Sequence, residues 1–480
     1  MGFIVLFMGC QVVDNEPDPV SNDISNIMQY SSPQDVSVGR VVEDNLGSVF
    51  AVGRFRGTVN FNKSGGSDRI SSVGGGDAFV TKMDADGKYS WTITFGGTGN
   101  EFVYDIDFDN SNDIYVIGAF ENSVDFDFGE TTDIRTSAGQ ADIYVIKISA
   151  DGEFVWVRTI GTSAIDTAGN IGIDSSGDVF YGGYFEANID LDPTAGTDNF
   201  VCAKDFHSFF TKLDSEGNYL FSRTIGGGEG EGAGLIGLSV TSDDDIIVCG
   251  NFQGTIDFDP SGAVDNKTSK GSWDIYVSKF NNDGTYVSTV TFGGTGYDAN
   301  WDGMDIDAND NVYIPGDFEG TVDFNPGIGI DNKTSTGTFS GFMVVLASDL
   351  TYVSSFVFGG SGASSTVMGS TVDANNNLYI FGINQGAIDL DPTTGSSISS
   401  YGSTDSRNAF VTVLDDNRAF KGGYTIIGKG NQNIWDLNVI NNTLYGCGYI
   451  QNTGKFSILS VKESITSAGG QDGFIFKAKL

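Results

Sequence analysis

The chain has 480 residues, 39% of them hydrophobic, with 25 Lys and Arg set against 63 Asp and Glu and a single histidine. The resulting formal charge of −38 excludes nucleic acid and anionic lipid headgroups as partners, because its field repels both. One histidine also excludes His-rich zinc sites and the His-Glu-x-x-His motif.

Met1–Gly9 is apolar but far short of the roughly 20 residues that span a bilayer. Phe7-Met8-Gly9-Cys10 resembles the lipobox of a bacterial lipoprotein signal, although Leu6 stands one position too early and a charged leader is missing. That resemblance implies acylation at Cys10. Gln11, Asp14, Glu16 and Asp18 then resemble the acidic tag that routes Bacteroidetes lipoproteins outward, and residues 11–23, with Pro17 and Pro19, form a flexible acidic tether. The implied location is the outer membrane or cell surface, with the lipid as the one membrane contact. The alternative is an ordinary signal fragment on a secreted or periplasmic protein.

From residue 24 onward the chain repeats one pattern, typified by Asn309–Pro326 (NDNVYIPGDFEGTVDFNP). Its glycines are Gly53, Gly118, Gly183, Gly250, Gly316, Gly382 and Gly448, spaced 65 to 67 residues apart, so the fold is read from the repeat. Each unit holds four short runs rich in Val, Ile, Tyr and Phe. In the second unit these are Val103–Phe108, Ile114–Phe120, Asp142–Ile148 and Phe154–Ile160. Dipeptides such as Asp86-Gly87 and Asp151-Gly152 supply tight turns between the last two runs, and no window has a helical period. About fifteen residues of Gly, Ser, Thr and Asp form a loop between the second and third runs. These features predict an all-β, seven-bladed β-propeller with four-stranded antiparallel blades. Asp472–Lys479 matches a third strand, so the last blade lacks its outer one. Register places that strand at Ile24–Tyr30, which closes the ring and covers an edge.

The GTVDFDP-like segments, the strands Asp77–Lys82, Asp142–Lys147 and Asp274–Lys279, and the loops Phe95–Gly99 and Phe292–Gly296 resemble SBBP-type bacterial β-propeller repeats. The resemblance covers Val36–Leu480 and implies the propeller fold without implying one activity.

Antiparallel order puts the long second-to-third links and the unit-to-unit links on one face, which is the candidate binding face. Trp273, Trp301, Asp257, Asp259, Asp389 and Asp391 fall there. Asp-x-Asp pairs recur at Asp125/Asp127, Asp190/Asp192, Asp257/Asp259 and Asp389/Asp391, with Asp323/Asn325 as a variant. Each pair either caps its loop by accepting backbone N–H groups or holds calcium. Asp105, Asp107, Asp109 and Asp113 stand at positions 1, 3, 5 and 9 of a run that resembles the calcium loops of integrin-type propellers, without their glycine. The competing reading is strand alternation, with Asp107 as a turn residue matched by Asp174, Asp307 and Asp373.

Cys249 and Cys447 sit at equivalent positions in distant units, too far apart for a disulfide. His207 stands where other units have Asp, as a substituted strand-edge residue and not a base. With no catalytic motif, the favoured reading is a non-catalytic surface scaffold that binds glycan or protein, requires no cofactor and has calcium as an option. A carboxylate glycosidase or lyase over the central channel is a second reading, and a structural part of an outer-membrane assembly a third. A catalytic site should break the repeat in one or two units with inward-pointing polar residues.

Overall fold

A computed structural model describes residues 26–202, 206–360, 362, 364–399 and 406–480, and among these there are strands, turns and bends but no helix. Cys10, the tether at 11–23 and the first two residues of the expected closing strand lie outside the described residues. The fold is all-β and propeller-like, built of antiparallel sheets in sequence order.

The first five units each form their own sheet. In the second unit the strands are Glu101–Phe108, Ile114–Phe120, Asp142–Ile148 and Phe154–Ile160. Three of these have the expected ends, and the first begins two residues early. The sixth and seventh units share one eight-stranded sheet, which the sequence did not suggest. It arises because Phe420–Lys429 has no Gly-Gly-Thr-Gly turn to stop it. The strand therefore continues and pairs with Thr443–Ser457, from Thr425↔Ser457 to Lys429↔Thr453. Elsewhere the same junction is a single bridge, as at Gly97↔Val124 and Gly293↔Asp323.

The expected loop between second and third strands is a two-stranded ribbon in each of the first six units, for example Thr255–Asp257 with Asn266–Thr268. Ribbon partners thirteen residues apart join their hydroxyls across the strands, at 2.8 Å for Thr255 and Thr268 and again at 2.8 Å for Thr321 and Thr334. In the seventh unit the ribbon is continuous with the long strands Thr443–Ser457 and Ser464–Lys479.

Ile27–Tyr30 pairs antiparallel with Ser464–Lys479, in register from Ile27↔Phe476 to Tyr30↔Gly473. Tyr30 is fully buried against Phe61 and Phe79 of the first unit. Sheet faces stack through large apolar side chains, and the core runs continuously between neighbouring units, as where Phe50 and Phe95 join Ile106, Phe120 and Tyr144.

The inner strand of every unit but the fifth is bulged at its middle. The register shifts between Val38 and Arg40, Val103 and Asp105, Ala168 and Ile171, Leu235 and Gly237, Val367 and Gly369, and Ile434 and Asp436. A bulge turns one residue away from the ladder. These bulges lie beside the channel between units and decide which side chains enter it.

Candidate functional site

In the fifth unit the inner strand is not merely bulged but broken, into Asp298–Ala299 and Asp305–Ile306. Residues 300–304 leave the sheet. Asn300, fully buried, holds this excursion. Its backbone N–H donates to the Asn251 side chain at 2.8 Å, the Asn251 amide donates back to the Asn300 carbonyl at 2.9 Å, and its own Oδ1 accepts Gly303 N–H at 3.0 Å. Gly303 has φ +87°, and a Cβ on Gly237 would stand 2.8 Å from the Gly303 Cα, so both glycines leave room for the loop to cross. The loop presents Trp301 and Asp302.

Asp302 meets Arg40, which comes from the bulge of the first unit, 262 residues away. The guanidinium donates to Asp302 at 3.0 and 3.5 Å and to the Trp435 carbonyl at 3.4 Å, and it stands 3.7 Å from Asp105. Asp105 accepts Asn170 Nδ2 at 2.9 Å and Ile171 N–H at 3.1 Å. Asp436 accepts Val41 N–H at 2.9 Å. Burial alone would lower the Arg40 pKa, but Asp302, Asp436 and Asp105 together outweigh it and raise it. Burial raises Asp302 against the opposing pull of Arg40, and pushes Asp436 up to about 7 and Asp305 to about 6.

Arg40, Asn170 and Asp302 form a partition between two cavities of about 830 and 760 Å3. The second opens toward the short hairpins and is polar, with Asp307, Asn309, Asp373 and Asn376 at its rim. The first opens on the loop-rich face and is aromatic. Phe206 and Trp273 stack at 5.2 Å with planes 5° apart, Phe102 and Tyr104 at 6.3 Å and 14°, and Trp301 leans on Tyr297 at 6.2 Å. Trp435 and Tyr449 complete the wall, and Arg54 lies 4.7 Å over the Phe102 ring. Trp301 is 51% exposed. Stacked aromatic faces beside amides and one ion pair suit a ligand with both apolar faces and hydroxyls.

The structure brings Trp273 and Trp301 together in this funnel. It does not bring Asp257, Asp259, Asp389 and Asp391 to it, since they sit on the ribbons. There Asp257 accepts the N–H groups of Asp259 and Asp265 at 3.2 and 2.8 Å, and Asp389 those of Asp391 and Ser397 at 3.1 and 2.7 Å. Asp125 and Asp190 do the same in their units, while Asp127, Asp192, Asp259 and Asp391 each cap the following turn.

The Asp105–Asp113 run also divides. Asp105 belongs to the channel, and Asp107, pushed to about 7 by burial, accepts Ile173 N–H at 2.9 Å. The residue matching Asp174, Asp307 and Asp373 is Asp109, not Asp107, as was expected. Each of the four accepts the N–H groups two and four residues ahead. Lys147 lies between Asp109 and Asp113 at 3.3 and 3.1 Å, and Lys212 between Asp174 and Asp178 at 3.0 Å each, so an ammonium fills the place a cation would take. Among the described residues no three His, Cys, Asp or Glu side chains gather around a metal position. We therefore expect melting curves with and without EDTA to superimpose. An EDTA-dependent drop in Tm would mean that carboxylates outside these caps bind calcium.

His207 starts its strand at the position held elsewhere by Asp77, Asp142 and Asp274. Cys249 and Cys447 are buried free thiols. The residues missed from sequence were Arg40, Asn170 and Asp302. The available signal was the fifth inner strand, which runs nine steps from Asp298 to Asp307 where the second runs eight from Glu101 to Asp109.

No family model matches the chain. It is similar to an uncharacterised WD repeat-containing protein of Acanthamoeba polyphaga mimivirus, 23% identical over 154 residues, which is 30% of this chain and 11% of that protein. Solved structures similar to it include a protein of unknown function from Dyadobacter fermentans, with TM-score 0.37, 9% identity, and coverage of 95% of this chain and 100% of that one. Another is a europium-containing methanol dehydrogenase, with TM-score 0.40, 10% identity, and coverage of 95% and 94%. A third is a protein of unknown function from Bacteroides caccae, with TM-score 0.32, 10% identity, and coverage of 64% and 79%.

Proposed function

We propose that the chain is a closed seven-bladed propeller of SBBP-type repeats, anchored to the cell surface through Cys10, that binds carbohydrate in the aromatic funnel of its loop-rich face. Closure is supported by one contact used twice. The inner-strand carboxylate Asp105 of unit two accepts Ile171 N–H of unit three, and Asp436 of unit seven accepts Val41 N–H of unit one. The binding reading is carried by the broken strand of unit five, which sets Trp301 half in solvent beside Tyr297, whose backbone is bridged to Trp273 of the Phe206–Trp273 stack. An exposed indole costs the fold solvation that a bound sugar face would recover.

A glycan array tests this, with Trp301→Ala as the paired variant. The variant should keep its melting temperature, since half the ring is already wet, and lose about tenfold or more in affinity, the scale of one binding hot spot. Capture of a protein partner with an empty array would overturn the carbohydrate reading.

The break in unit five also favours carboxylate catalysis, because it places Asp302 inside the channel. Appearance of reducing ends from a bound glycan would establish that second reading. None is expected, because Arg40 holds the Asp302 carboxylate at 3.0 Å in an ion pair.

A further inference from the structure

We infer that the funnel takes the free end of a glycan chain and not an internal stretch. This rests on the carbohydrate reading and deepens it. A polymer that binds through internal residues needs a groove open at both sides, so that the chain can enter and leave. Away from the loop-rich face the funnel ends on side chains that it shares with the opposite cavity. Its floor is the partition of Arg40, Asn170 and Asp302, the three residues that also roof the opposite cavity. That floor is rigid: Arg40 is fixed by Asp302 and the Trp435 carbonyl, Asn170 by Asp105, and Asp302 by the Asn300 clamp on its loop.

Its walls come from around the channel: Ser37 from unit one, Phe102 from unit two, Thr167 from unit three, Gly234 from unit four, Tyr297 ahead of unit five and Trp435 from unit seven. A cavity of about 830 Å3 enclosed in this way has room for a short oligosaccharide entering end-on.

The floor chemistry agrees with this geometry. An internal sugar has surrendered hydroxyls at both linkages, while a terminal one retains an uninterrupted edge of them. Carboxylate, guanidinium and amide side by side offer both acceptors and donors to such an edge. The aromatic rings lie above the floor on the walls, placed to stack on the terminal and following rings.

The experiment is an array of oligosaccharides printed through their reducing ends, in which terminal residue and internal linkage vary independently, probed with the full chain, Trp301→Ala and Asp302→Asn. The expected hits share a terminal residue across different internal linkages. Trp301→Ala should weaken all of them by about tenfold or more, and Asp302→Asn should flatten the preference among termini. Hits that share an internal linkage whatever the terminus would overturn end recognition and leave the carbohydrate reading standing. Hits insensitive to both variants would place binding outside the funnel and overturn it as well. No hits at all would remove the carbohydrate reading, and this inference with it.

Discussion

Replacing Arg40 with alanine is expected to destabilise the protein by about 3–5 kcal/mol, the cost of removing one partner from a buried ion pair. The side chain is largely buried, and it faces Asp302 at 3.0 Å, Asp105 at 3.7 Å and the Coulomb field of Asp436. Without it, buried carboxylates remain with no cation, which costs more than the pair contributes. Equilibrium unfolding in urea measures the loss. Adding Asp302→Asn to the variant should recover part of it, because it removes one of the stranded charges. A single variant within 1 kcal/mol of the wild type would mean that water enters the partition and solvates it.

The same carboxylates give the effect a pH signature. Burial lifts Glu101 to about 8, Asp107 and Asp436 to about 7, and Asp166, Asp298 and Asp305 to about 6, each above its ordinary value. At intermediate pH the folded state therefore holds protons that the unfolded chain has released. The contribution of these groups is fully present below their unfolded values and is lost as pH rises through the folded ones. The wild-type Tm should accordingly fall between pH 5 and pH 8. In Arg40→Ala, Asp436 and Asp302 lose the charge that lowers them, so the deficit should be larger at pH 8 than at pH 5. Equal deficits at the two values would show that these side chains stay ionised throughout.

Strands such as Ile114–Phe120 and Asp142–Ile148 were legible because their apolar runs end in residues with turn chemistry. The ribbons were not. Three residues such as Asn332–Thr334, with only Lys333 partly covered, carry too little pattern to separate from loop. The fusion of the last two units escaped for another reason, since it follows from a turn that is missing at Gly428-Lys429.

Of the site, the tryptophans could be read because exposed aromatic residues in face loops are unusual, and Trp273 and Trp301 do line the funnel. Its floor could not. Arg40 and Asp302 lie 262 residues apart, and their meeting depends on Gly237 and Gly303 being small where two units approach. Period-two alternation shows which residues share a face of a strand but not which bulge re-aims one of them. The misplaced equivalence of Asp107 is a different matter, because the repeat spacing itself identifies Asp109: like Asp174, Asp307 and Asp373 it precedes the glycine of its unit by the same interval.

Those bulges also explain why one glycine returns in every unit, and they set the second large effect. Gly250→Ala is expected to cost about 3 kcal/mol or more, at or above the upper end of overpacking. A Cβ at Gly250 would fall 1.9 Å from the Gly234 carbonyl oxygen and 2.9 Å from its carbon. The obstacle is the backbone of the inner strand, which no rotamer change relieves. The bulge between Leu235 and Gly237 fixes that carbonyl, so it moves only if the ladder Leu235↔Gly250 opens. Gly118 meets the Phe102 carbonyl oxygen at 1.9 Å in the second unit, and Gly118→Ala should cost about as much.

Gly39→Ala is the control. It lies in the first unit's bulge, but its Cβ would stand 3.7 Å from the nearest carbonyl, an ordinary contact. Its unfolding midpoint should stay near that of the wild type. If Gly39→Ala and Gly250→Ala lost stability equally, the close approach would not be the reason the glycine recurs, because Gly→Ala lowers the entropy of the unfolded chain and by that alone stabilises the fold.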